Sequence, residues 1–504
     1  MRWLAGRAAM PAHLALERDP TMPRNRRFSG PQSHTRVAQV PPRGSSQRDD
    51  LLALVHRATF GYTANEHARA RSLGFEGWRD EQLDPLTIDD STLDAELLSY
   101  PTRTLSAAEL IATYPPQNNG DRVVKDSLRL LQIVRAFGSK RQLFERVVDF
   151  WTDHFSIDGE ADGLRYLKTV DDREVVRTHA LGSFRDLLGA SAKSGAMLLY
   201  LDNYVNAGGS PNENYARELL ELHTLGVDGG YTETDVVEVA RCMTGWTIFD
   251  LASPNAAEFR FDASLHDDGA KVVLGVPIPA GGGQQDGETV LDLIAAHPST
   301  QVHIARKLCA RFLVDDPPQV TIDRVAQRFS QTGGDIAEAM RAVLSRESFA
   351  ECSVWNAPKL KRPLHLVVSS LRSTGGTISD PRGLRNELRF MGQLPFAWAA
   401  PNGYPDTLEA WGSNLLSRWS FVSKLLGGDV DGAEVPNAAI SALFASVPLA
   451  RAASALDVRL TGGRMLGTDI QAVQNFIDGQ PIMNSTVARE AVALVLSLPS
   501  TQWV

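Results

Sequence analysis

Two segments of this chain carry side chains capable of chemistry at helical spacing. NENYARELLELHTLG, residues 212–226, holds Asn212, Glu213, Asn214, Arg217, Glu218, Glu221 and His223; FWTDHF, residues 150–155, holds Asp153 and His154. Imidazole exchanges a proton nearest neutral pH and is the commonest metal ligand. Carboxylates serve as acids, bases or ligands, and a guanidinium grips a carboxylate or phosphate through two parallel hydrogen bonds. Such a set fits acid/base chemistry on an anionic substrate, or hydrolysis or transfer assisted by a divalent metal. His154, His223, Arg217, Glu218 and Glu221 are the candidate catalytic residues. Asn212, Glu213 and Asn214 are candidate substrate ligands, and no spacing fixes a metal-ligand set.

The elements that must position these groups are helices. At 100° per residue, Glu213, Asn214, Arg217, Glu218 and Glu221 share one arc, and Tyr215, Ala216, Leu219, Leu220 and Leu222 the other. Arg217 can bridge Glu213 and Glu221, which stabilises a surface helix by roughly 0.3–0.5 kcal/mol per pair. His223 falls inside the apolar arc. In RQLFERVVDFWTDHF, Leu143, Val147, Phe150 and Trp151 mark the buried face and His154 lies at its centre. Each inward imidazole needs a partner, because leaving it without one costs roughly 1–3 kcal/mol. The plain alternative to a reactive site is a pair of satisfied core histidines. Gly226 ends the first helix, Gly229 and Gly230 turn the chain, and Thr232 with Asp235 forms a capping box for the next. LGVDGGYTETD lacks the leading carboxylates of a calcium loop.

The 504 residues, 43% hydrophobic and 22% charged, suffice for a large buried core. A net charge of -9 excludes a general grip on nucleic acid. Cys242, Cys309 and Cys352 match no metal spacing and predict no disulfide framework. No apolar run has the roughly 20 residues of a membrane-spanning helix. Residues 1–49 carry nine arginines and no lysine and read as a disordered basic tail, or as translated sequence upstream of a start at Met22. Arg7 interrupts any secretion signal, so the default location is cytoplasmic.

From Asp50 onward helical periodicity dominates, and the fold class expected is mainly α: one large multi-helix domain over 50–504. A small β-hairpin insertion is expected at about 258–275, where short β-prone runs flank an Asp-Gly turn. His266 sits on that turn with Asp267, Asp268 and Lys271 and is a further candidate substrate ligand, although turn chemistry alone accounts for HDDG. The Gly281–Gly283 run lacks the Lys-Ser/Thr ending of a phosphate loop. His303, Arg306, Lys307 and Arg311 form a basic helix face, read as solvated. PNGYP, at 401–405, either walls a pocket or anchors a long loop, and His56 could join the other two imidazoles. No nucleophile elbow, His-Glu-x-x-His helix or dinucleotide fingerprint occurs.

These segments together resemble a bacterial family known as domain of unknown function 1800. The resemblance runs through HRATFG (56–61), FWTDHF, AMLLYLDN (196–203), the NENYARELLELHTLGVDGGYT segment with its MTGW ending, HDDGAKVVLG, IARKL (304–308), KRP (361–363) and PNGYP, and so covers about residues 50–504. Gly195 stands where the family pattern has proline. The resemblance implies a mostly helical bacterial protein, often exported, often encoded beside a family 1501 protein that resembles alkaline phosphatases. It transfers no reaction. Two readings follow: an enzyme with its site between the FWTDHF and NENYARELLELHTLG helices, or a noncatalytic partner of the co-encoded family 1501 protein.

Overall fold

Helix Gln142–His154 sets the architecture, because it is buried nearly all round. Leu143, Val147 and Trp151 are inaccessible to solvent, and Glu145, Arg146 and Asp149 are buried with them. A helix of this composition is stable only if other elements supply both an apolar surface and counter-charges. The computed structural model describes residues 49–356 and 359–504, so the expected basic tail, save Asp49, lies outside the described residues.

Among the described residues two large apolar cores result, with two small clusters around Leu93 and Leu110 beside them. The first gathers Leu54, Trp78, Trp151, Phe184, Leu219, Val239, Leu308 and Phe312 from helices between Asp50 and Glu351. The second gathers Val367, Leu371, Leu384, Phe421, Leu456 and Val492, joined by Phe60 and Ile133 from the first half of the chain. Each fully buried Leu, Val or Phe contributes about 1.5–3 kcal/mol. The expected mainly α class with small β-hairpins holds. Periodicity places Asp50–Ala58, Phe184–Lys193, Pro298–Phe312, Pro363–Thr374, Leu415–Gly427 and Ser485–Ser497 as helices. Among the described residues, no single helix is long and apolar enough to cross a membrane.

The strands pair otherwise than the Asp-Gly signal suggests. β1 (Trp246–Ile248) pairs antiparallel with β2 (Phe259–Phe261), β3 (Lys271–Val273) with β4 (Val276–Ile278), and β5 (Thr377–Ile378) with β6 (Ala433–Glu434). The tight hairpin turn is Leu274-Gly275, both with positive φ as a two-residue type I′ turn requires. Asp268-Gly269 stays in a loop because ions hold it. Asp267 pairs with Arg241 at 2.7 Å, and Lys271 reaches under to Asp286 at 2.6 Å. β2 finds an aromatic partner instead, with the Trp246 and Phe259 rings 5.1 Å apart.

Candidate functional site

The imidazoles of His154 and His223 converge. Their ring centroids lie 6.1 Å apart, and each residue is 1% exposed. His154 ends helix Gln142–His154; His223 ends a π-helical turn, Leu219–His223, that continues helix Glu213–Glu218. The wider turn lets Leu219, Leu220 and His223 all face inward, and π-turns of this kind often occur at functional sites. His154 Nε2–H donates to the His223 carbonyl at 3.1 Å, which places its proton on Nε2. His154 Nδ1 and His223 Nε2 are buried without a hydrogen-bond partner among the described residues.

Helix Pro298–Phe312 brings a third ring and an amine. His303 lies 6.4 Å from His154, and its Nε2–H donates to the Leu222 carbonyl at 3.3 Å. A Cβ on Gly226 would come within 2.8 Å of His303 Nδ1, and Gly226 has φ +86°, so two constraints demand glycine there. Burial, then the Lys307 ammonium and the other rings, pushes His154 well below the ordinary histidine range. Burial, then Lys307 and the His303 ring, put His223 at about 3; burial, then Lys307 and Arg306, put His303 at about 4 against the opposing Leu222 hydrogen bond. Lys307 is partly buried and pushed down to about 8, with Asp153 opposing and Arg311 reinforcing the effect of burial.

The expected solvated face on this helix is in fact largely interior: Arg311 is 3% exposed, His303 and Lys307 are half-buried, and Arg306 alone is exposed. Arg311 binds Asp149, Asp153 at 3.2 Å and Asp406 at 3.5 Å, while Arg362 binds Asp153 at 2.5 Å. Burial works against the Arg311 guanidinium, but the three carboxylates hold it above its ordinary value. PNGYP anchors its loop here. A Cβ on Gly403 would lie 2.1 Å from the Asp153 carbonyl, and Asp406 closes the ionic network. FWTDHF, IARKL, KRP and PNGYP thus meet at one buried junction, which no local pattern announced.

The remaining candidates are held elsewhere. Arg217 bridges Glu213 at 3.1 Å and Glu233 at 2.7 Å, so Glu233 replaces the expected Glu221; the Glu233 hydrogen bonds, despite some burial, raise the guanidinium above its ordinary value. Burial, then Glu221, pushes the Glu218 carboxyl up. Asn212 caps helix Glu213–Glu218 by accepting from Asn214 N–H and donates to the Asp202 carbonyl at 3.3 Å; Asn214 donates to Leu201 at 3.1 Å. His266 is bonded to the Thr244 carbonyl and, at 3.2 Å, to Asp286 under β3. His56 Nε2–H donates to Thr461 at 2.9 Å and its ring stacks on Tyr62, so it does not join the other imidazoles. Among the described residues, no group of three or more His, Cys, Asp or Glu is placed to hold a metal ion.

The family model described as "Protein of unknown function (DUF1800)" matches residues 53–503. The chain belongs to that family. No curated protein and no solved structure matches it. In this DUF1800 chain the matched span takes in both cores and all four motif segments of the buried junction.

Proposed function

We propose that this DUF1800 chain is an enzyme acting on an anionic substrate, with Lys307 and His303 at the open side of the centre and His154 and His223 behind them. One observation carries the reading: an amine at about 8 stands beside three imidazoles, and no carboxylate hydrogen-bonds to any of them among the described residues. A proton-transfer group works best when its pKa lies near the working pH, and a centre of cations and neutral N–H groups favours substrates that carry or develop negative charge. Lys307 is the proton acceptor in this reading. The rings supply polar groups, Asn212, Asn214, Glu213 and Arg217 set the helix that carries His223, and Glu218 and Glu221 charge its outer face. His266 belongs to the separate Asp286 cluster.

The test is NMR titration of reductively 13C-methylated protein, with Lys307 assigned by its absence in Lys307→Arg. A midpoint near 8 is expected, and hydrolysis of a panel of phosphate, sulfate and carboxylate esters should rise as pH passes it and be lost in Lys307→Met. A midpoint at the ordinary lysine value of 10.5 overturns the reading.

The 1% exposure of both inner rings favours a second reading, in which the pair fixes helix register and the protein docks noncatalytically on a co-encoded family 1501 protein. Co-expression decides it. Stable co-purification that survives His154→Gln and His223→Gln, with no bound metal and no hydrolysis by this chain alone, supports docking; repeated failure to co-purify removes it.

A further inference from the structure

A cavity lies where HRATFG and KRP meet, bounded by His56, Tyr62, Lys361, Ser369, Arg464 and Ser500. Gly61 makes the junction possible, because a Cβ there would lie 2.5 Å from the Ser369 Cβ and φ is +138°. That close approach packs the segment after the first helix, with Phe60 against His365, onto helix Pro363–Thr374, and Tyr62 stacks on His56 at the same wall. Among the described residues no Asp or Glu lines the space, whereas Lys361, Arg464 and His56 do. The nearby Asp457 carboxylate already accepts from the Thr461 hydroxyl at 2.5 Å and the Met465 N–H at 2.8 Å. Among the described residues the Lys361 ammonium makes no hydrogen bond or ion pair and the buried Ser500 Oγ has no hydrogen-bond partner.

We infer that this cavity is a binding site for one tetrahedral oxyanion, a phosphate group, held by Lys361 and Ser500 with Arg464 adding positive potential. The size agrees: about 20 Å³ is open to the centre of a water molecule, so a sphere of roughly 3 Å radius fits, enough for one such group but not for a whole nucleotide. The electrostatics agree as well. Burial, then Arg464 and Arg418, pushes Lys361 down to about 7, a penalty that an anion between these cations removes. The site shares no side chain with the Lys307 centre, so either can fail without the other.

The experiment is calorimetric titration of the full chain with inorganic phosphate at fixed ionic strength, with chloride as the control and phenyl phosphate as the second probe. One phosphate per chain is expected. Losing one charged hydrogen bond should weaken binding about tenfold or more in Lys361→Met. Lys361→Arg should retain binding and Ser500→Ala should lose part of it, which keeps the test decisive if Lys361→Met does not fold. Phenyl phosphate binding as tightly as phosphate marks the site as taking the head of a larger ligand, and phosphate alone marks it as taking the free ion; both support the inference. Phosphate heat no greater than the chloride control, or wild-type binding in both Lys361→Met and Ser500→Ala, overturns it.

Discussion

His223 is neutral in the folded chain because its site refuses a proton, and this couples one residue to the stability of the whole. Its folded value of about 3 lies below the ordinary 6.5, so the unfolded chain binds a proton that the folded chain does not. The stability tied to this ring is therefore complete above about pH 7 and is lost as pH falls from 6.5 toward 3. At pH 5 the loss from His223 is about 2 kcal/mol, and His303 acts in the same direction. Urea unfolding at pH 7.5 and 5 should show His223→Gln losing less stability on acidification than wild type, by about that amount; equal losses would mean that the ring is not held neutral. The inward direction of His154 and His223 was legible in sequence from their place on apolar arcs. Their partners were not: His154 donates to a backbone carbonyl 69 residues away, and Arg217 takes Glu233 from the next helix.

At the scale of elements, the end of the NENYARELLELHTLG helix is shaped by a π-turn and a glycine. A 3.6-residue period describes Glu213–Glu218 but not Leu219–His223, where the chain widens so that Leu219, Leu220 and His223 are buried while Glu221 and Leu222 are only partly covered. Gly226 carries both a left-handed backbone and the flank of the His303 ring. Gly226→Ala should destabilise by about 2 kcal/mol or more, from backbone strain and the displaced ring together. Thermal and urea unfolding give the size of the effect, and the histidine resonances of His303 should shift more than those of His266. An unchanged midpoint would contradict the close contact. The Thr232/Asp235 capping box, by contrast, could be read directly, and it is present with both hydrogen bonds.

Across the whole molecule, the two apolar cores are joined by the buried ions that link Asp149 and Asp153 to Arg311, Arg362 and Asp406. Removing one partner leaves an uncompensated charge, so Arg362→Met should cost about 3–5 kcal/mol. Adding Asp153→Asn should restore part of that loss, and a double-mutant cycle with no coupling between the two would show that the pair does not join the cores.

By itself, the sequence determined the helical class, most helix positions, the caps, the glycine turns and the inward histidines. Each of these follows from rules that act within one or two turns of chain: apolar periodicity, capping hydrogen bonds and allowed φ. Only the tertiary structure decided that His303 and Lys307 stand beside the histidine pair and that Arg311 and Arg362 reach Asp153 across 158 and 209 residues. Local rules say that a buried charge must find a partner. Which partner it finds depends on how helices with similar apolar faces pack against one another, and that choice is made by the whole core.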